Sequence, residues 1–337
     1  MGQRGILGAL ILIGGLIAVP IVVTDVYLLH MIILSVIWIT LATHFNIILS
    51  TGQLSLAQVA FFGIGAYTSG LLMVKLNWPF PLAIITAGVL TCLIGLLIGR
   101  ITLKMRGSHF ILVTFAFSEI CRLVARNWVG LTNGPMGLRG IPFPSIEIPG
   151  LLDVTFSSYP SQYYMALILA LVSIYIAYKL RYSLFGRAFN ALRTSEALAE
   201  SVGISHFKYV IIAVAVSTFF SGTVGGFYAH YVTLVSPEIF SFAYMISLLM
   251  MVIGGGRNSV SGPVIGAIIF TLIPEFMRTF AVYRMLIFGA LLTTIVIFLP
   301  EGITPQLAKI WRRVTHRSGP TGADKIEIKR GGENASS

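Results

Sequence analysis

About ten apolar segments, most of them near the length that crosses a bilayer as a helix, follow one another along this chain and leave mostly short connections between them. They lie near Ile6–Val23, Tyr27–Leu49, Val59–Val74, Pro81–Ile98 and Ser108–Ala125, and then near Tyr163–Tyr178, Tyr209–Tyr228, Phe240–Ile253, Val264–Ile273 and Met285–Leu299. The ninth is short and stops at Pro274, as a broken or tilted helix would. Only 10% of the 337 residues are charged, against about 25% in an ordinary soluble domain, so this chain cannot cover its own surface in water. The expected fold is an all-α integral membrane protein of about ten transmembrane helices, some broken or re-entrant, with no soluble domain. Residues 1–304 form the membrane domain, and 305–337 a basic tail that starts as an amphipathic stretch (Leu307, Ile310, Trp311, Val314) and ends in polar residues expected to be disordered.

A net charge of +11 could suggest nucleic acid, but the placement of the charge argues otherwise. With both termini on one side, that side collects 17 of the 23 Lys and Arg, including Arg100, Lys104, Arg181, Arg187, Arg193, Lys208 and the tail. Cytoplasmic loops keep basic residues in excess. The charge therefore marks orientation: a multi-pass membrane protein with cytoplasmic termini and no nucleic-acid partner. The segment 126–162, rich in Gly and Pro, falls outside; 181–208, which reads as helical, falls inside.

Several chemistries are missing from the sequence. No G-x-x-x-x-G-K-[ST] stretch is present to cradle phosphates, and no Ser/His/Asp arrangement has supporting context. Cys92 and Cys121 sit apart in apolar runs, which gives neither a disulfide framework nor a metal site. The first span is long for a signal peptide and is expected to stay as an anchor. The chain is expected to be no enzyme and to hold no cofactor. Its energy must come from an ion gradient or from another subunit.

Ser195 to Gly203 is the most informative polar segment. Ser195 suits an N-cap, Glu196 the first turn and Gly203 the C′ position, which predicts a helix of about two turns. Leu198 and Val202, four residues apart, form an apolar edge. A helix this short is unstable alone in water, so its edge fills either a partner's groove or the membrane surface.

The wider segment, with Gly186, Arg187, Arg193, Glu196, Leu198, Glu200, Val202 and Gly203, resembles the coupling loop of permeases in ATP-binding-cassette importers, specifically those for branched-chain amino acids, the LivM type. Thr51-Gly-Gln-Leu-Ser-Leu-Ala-Gln-Val-Ala-Phe-Phe-Gly-Ile-Gly-Ala-Tyr67 is similar to that family's stretch, apart from Thr51 and Ala57. Leu131–Gly137 (with Asn133 as the exception), Tyr228–Tyr231, Ser236–Glu238, Leu299–Gly302 and, more loosely, Met251–Pro263 follow in the family's order. The resemblance implies a second permease subunit, two cytoplasmic ATP-binding subunits that use the ATP, and a periplasmic protein that delivers Leu, Ile or Val. Close relatives carry urea or other small solutes. The alternative class is a stand-alone ion-coupled transporter, which would need intramembrane carboxylates; only Glu119 qualifies.

The residues also carry a reading of their own. Gly52, Gln53, Ser55 and Gln58 interrupt two apolar helices, either as part of a path or gate or as a simple inner loop. Glu119 and Arg122, one turn apart inside the fifth span, either line a path or satisfy each other. His44 reads as a hydrogen-bonded core residue. Ala66 and Gly70, with Gly63 on nearly the same face, read as a helix-packing face, and Gly65 as a packing glycine in the same span.

Overall fold

The computed structural model describes residues 14–105, 107–148, 152–257 and 259–276, and isolated positions 289, 293, 302–304 and 306. Residues 14–22 are helical (α1). Six long apolar helices follow: α2 (Val26–Leu49), α3 (Gln58–Leu76), α4 (Phe80–Thr102), α5 (Ser108–Asn127), α7 (Tyr159–Arg181) and α10 (His206–Val232). Between or after them lie α6 (Val129–Thr132), α8 (Leu184–Thr194), α9 (Glu196–Ser201), α11 (Phe242–Gly255) and α12 (Ser261–Phe276). The expected span at Met285–Leu299, the start of the first span and the tail's amphipathic stretch lie outside the described residues, apart from isolated positions.

Most helices run past the expected ends of their spans, because polar and aromatic residues at the water interface extend and cap them. Asp25 Oδ1, for example, accepts from the Tyr27 N–H at 2.8 Å to start α2. The ninth span departs from expectation. α12 does not stop at Pro274 but continues to Phe276. A transmembrane helix tolerates proline where neighbouring groups take over the freed carbonyl. At 14 residues, α11 reaches only about 21 Å, short of a hydrocarbon core of about 30 Å. α11 is entered through a 3₁₀ turn at Pro237–Phe240, which fits a broken helix.

The segment 126–162 is more ordered than its Gly and Pro content suggested. It holds α6, a 3₁₀ turn, β1 (Leu138–Arg139) and a hairpin of β2 (Ser145–Ile148) with β3 (Leu152–Thr155). β1 pairs antiparallel with β4 (Leu234–Val235), just beyond α10. These short ladders were invisible to an all-α reading, because pairings of two to four residues leave almost no period to detect.

The connections gather at two ends, as alternating spans require. At one end Arg181 donates to Ser50 Oγ at 3.2 Å and Asn46 Nδ2 donates to the Ser259 carbonyl at 3.0 Å. At the other, Lys75 donates to the Gly130 carbonyl at 3.0 Å, and His230 bridges Ser69 and the Pro142 carbonyl, each at 2.8 Å.

α10 is the centre of the bundle, with 72% of its most apolar window buried, against 22% for α5. Apolar side chains gain little by leaving lipid for protein, so helices associate through close packing and interhelical hydrogen bonds. α10 is built for both. A Cβ on Gly222 would fall 1.9 Å from Thr91 Oγ1 on α4, and one on Gly225 would fall 2.0 Å from the Phe62 carbonyl on α3. A Cβ on Gly65 would lie 2.3 Å from the Gly222 carbonyl. Gln58 Nε2 donates to Ser217 Oγ at 2.9 Å and also meets Ser221 Oγ, both on α10. His44 is the core residue expected, bonded to Ser173 Oγ at 2.6 Å and stacked on Phe220.

Gly222→Val should therefore be severely destabilising, because the added atoms meet backbone and a tightly held hydroxyl. Overpacking of this kind costs about 1–3 kcal/mol or more. Gly130→Ala, where nothing lies within 4 Å, should stay within about 0.5 kcal/mol. The amount of inserted protein and its resistance to thermal aggregation in detergent measure both; equal behaviour of the two variants would contradict this packing.

Candidate functional site

The polar end that carries Ser50 and Arg181 also carries the two sequence segments expected to matter. α8 leaves α7 through a tight reversal: Ser183 Oγ accepts from the Phe185 N–H at 3.1 Å, and a Cβ on Gly186 would sit 1.8 Å from the Arg181 carbonyl. α8 buries Ala188, Phe189 and Leu192, leaving Arg187 and Asn190 exposed. Ser195 ends α8 and caps α9, with Oγ facing the Leu198 N–H at 3.4 Å. Gly203, at φ +85°, closes α9: its N–H bonds the Glu200 carbonyl at 3.0 Å, and the Ile204 N–H bonds the Ala199 carbonyl at 2.9 Å. That pair of bonds is a Schellman close. The helix read from Ser195 to Gly203 forms with the caps expected of it.

α9 rests on the bundle through Ala199, which joins Leu192, Leu103, Phe110, Val210 and Val214 in a small cluster. Its other edge is bare. Leu198 is 70% exposed and Val202 73%. Beside them a shallow apolar groove of about 400 Å³ runs along Asn190, Ala191, Thr194 and Ala199. Arg193 and Glu196 are half-buried toward the bundle, whereas Glu200 is exposed.

The segment 50–58 packs against this helix pair. Gly52 turns at φ +89°, and a Cβ there would meet the Arg193 Cα at 3.2 Å. Gln53 Nε2 lies 3.2 Å from His206 Nε2, and Glu196 Oε1 lies 3.2 Å from His206 Nδ1. A polar crevice of about 240 Å³ opens between Gly52, Gln53, Gly107, Arg193, Glu196 and His206. Ser55 is buried and accepts from the Ala57 N–H at 3.3 Å. Gln58 has no exposed surface and serves the α3–α10 seam within the subunit. Sequence reasoning missed His206: a histidine at the start of a helix reads as ordinary, and of its two partners Gln53 lies 153 positions away.

Glu119 and Arg122 are placed elsewhere, toward the opposite end of α5. The guanidinium grips the carboxylate through Nε at 3.0 and 3.1 Å and through Nη2 at 2.5 Å, with Glu238 at 4.0 Å. The pair is only partly covered, its side chains 35% and 24% exposed. It shares α5's outward face with Leu112, Ile120 and Leu123. The outward faces of α4 (Leu82, Ile85, Val89, Leu93, Leu97) and α7 (Ile168, Val172, Tyr175) expose large apolar side chains and no charge at comparable depth.

The family model described as the permease component of branched-chain amino acid transport systems matches residues 27–296. The chain is 32% identical, over 293 residues, to the "High-affinity branched-chain amino acid transport system permease protein LivM" of Escherichia coli (strain K12), covering 81% of this chain and 69% of that one. The Salmonella typhimurium (strain LT2) protein of the same name matches equally, at 32% over the same shares. No solved structure matches the chain.

Removing one member of the Glu119–Arg122 pair strands the other at membrane depth, whereas removing both strands neither. Arg122→Gln should therefore lower the amount of inserted protein, and Glu119→Gln with Arg122→Gln should restore it. Equal amounts of the single and double variants on membrane immunoblots would show that the pair does not act as a unit.

Proposed function

Because this chain belongs to the family of permease components of branched-chain amino acid transport systems, we propose that it is a membrane-spanning subunit of an ATP-binding-cassette importer that passes Leu, Ile or Val into a bacterial cytoplasm. A second permease subunit completes the path. A periplasmic binding protein delivers the amino acid at the end that carries the β2–β3 hairpin. Two separate ATP-binding subunits dock at the opposite, basic end, and the chain itself performs no covalent chemistry. It lies in the inner membrane with its termini cytoplasmic.

The observation that carries this reading is α9, a short capped helix fixed to the bundle on one side and presenting Leu198 and Val202 bare on the other. Two exposed large apolar side chains beside a groove, on a helix too short to hold itself in water, suit a protein groove that receives them. The outward face of α5 supports the second subunit. A charged pair facing lipid is unfavourable by about 2.5–3.5 kcal/mol per charge on insertion scales; a face covered by protein, or wetted by a path, removes that cost. The apolar outward faces of α4 and α7 suit lipid instead.

Leu198→Asp tests the docking. The residue is exposed in the subunit, so the change should move its stability by less than about 0.5 kcal/mol. Buried against a partner, the carboxylate would be left unpaired in an apolar groove, which is strongly unfavourable. The variant should insert normally, retain little ATP-binding subunit on co-purification and transport poorly. Normal co-purification with normal uptake would show that α9 is not the docking helix.

A further inference from the structure

His206 lies where three separate pieces of the chain meet, and neither the family resemblance nor the proposed docking assigns it a role. It opens α10, the central helix, and its side chain is only 8% exposed. Nδ1 faces Glu196 Oε1, on the first turn of α9, at 3.2 Å. Nε2 faces Gln53 Nε2, in the segment between α2 and α3, at 3.2 Å. An imidazole has one polar atom on each edge and can hold two partners at once along one line. Beside this line Gly52 presses on the Arg193 backbone: a Cβ there would lie 3.2 Å from the Arg193 Cα, with the side-chain carbons Cβ and Cγ at 3.7 Å. The docking helix pair and the polar break between α2 and α3 are thus joined twice, once by hydrogen-bonding groups and once by backbone contact.

We propose that His206 is a positioning residue that ties α9 to the segment 51–57, so that displacement of α9 by a docked ATP-binding subunit moves the inner ends of α2 and α3. The proposal rests on α9 being the docking helix. The chain has mechanical reason to need such a tie. α9 itself reaches the bundle mainly through the small side chain of Ala199, whereas α2 and α3 are held deep in the core by Gln58, Ser217 and His44. Movement of α9 against a loop that was not tied to it would be absorbed within the crevice between them. Glu196 and Gln53 differ in role: Glu196 moves with the docking helix, and Gln53 moves with the loop. The geometry also explains why Gly52 suits its position, since a side chain there would push the loop off the Arg193 backbone.

The test uses the full transporter, this chain with its second permease, ATP-binding subunits and binding protein, reconstituted in lipid vesicles. His206→Ala should leave co-purification of the ATP-binding subunits and basal ATP hydrolysis near wild type. Amino acid uptake per ATP hydrolysed should fall by about tenfold, within the range typical of coupling between sites. His206→Asn, which can still hold two partners, should recover part of that loss. Glu196→Gln combined with His206→Ala should be no worse than His206→Ala alone, since both cut the same tie. A spin label at Leu54 supplies a second readout: its mobility should change on ATP binding in the wild-type complex and stay fixed in the His206→Ala complex. Normal uptake per ATP by His206→Ala, with a Leu54 label that still responds, would overturn the tie while leaving docking intact. Failure of the docking reading looks different, since the ATP-binding subunits would then bind regardless of Leu198→Asp. If His206→Ala fails to insert, the label experiment with His206→Asn and Gln53→Ala decides: a normal response in Gln53→Ala contradicts the proposal.

Discussion

The close approach of α10 to α3 and α4 is the constraint on which the rest of the structure depends. In lipid there is no gain from hiding one apolar helix behind another, so a bundle holds only where backbones come near enough for dense van der Waals contact and for hydrogen bonds across helices. Gly222, Gly225 and Gly65 permit that approach, and Gln58, Ser69 and Thr91 then find partners on α10 that only close helices can offer. Once α10 is fixed between its neighbours, both of its ends are fixed too. Its first residue, His206, is set beside α8 and α9, and its last turn places His230 and β4 against the segment 126–162.

A closely packed centre leaves exposure to the periphery. α5 is the least enclosed of the long spans and carries the Glu119–Arg122 pair. α9 joins the bundle through Ala199 and leaves Leu198 and Val202 exposed. The two features proposed to meet other subunits therefore lie on exposed faces away from α10. That division suits a transport subunit, in which the bundle must survive while its edges engage and release partners.

Much of this was legible in the sequence, for physical reasons that differ from element to element. The spans were legible because lipid demands long apolar runs, and α9 because caps are local chemistry: Ser195, Glu196 and Gly203 announce its ends within nine residues. His44 in the core followed from its apolar surroundings. The ends of the spans were not legible, since interfacial residues extend helices without being apolar, and Pro274 did not end α12 because an intramembrane helix can absorb a missing N–H. The β1–β4 pairing and the contact of Gly52 with Arg193 depend on residues about 100 or more positions apart. Gln58 illustrates the same limit at one residue. Its sequence setting, a polar side chain near a break between spans, pointed toward a path or gate, but only the fold shows Ser217 and Ser221 waiting for it.

The central claim is that α9 is the surface on which a separate ATP-binding subunit sits. A photo-crosslinking amino acid placed at Val202, 73% exposed in the subunit, tests it directly in native membranes. Irradiation followed by mass spectrometry should yield one dominant adduct joining this chain to a cytoplasmic ATP-binding subunit, lost when Leu198→Asp is introduced alongside. Adducts confined to lipid or to this chain itself, at full transport activity, would contradict the account.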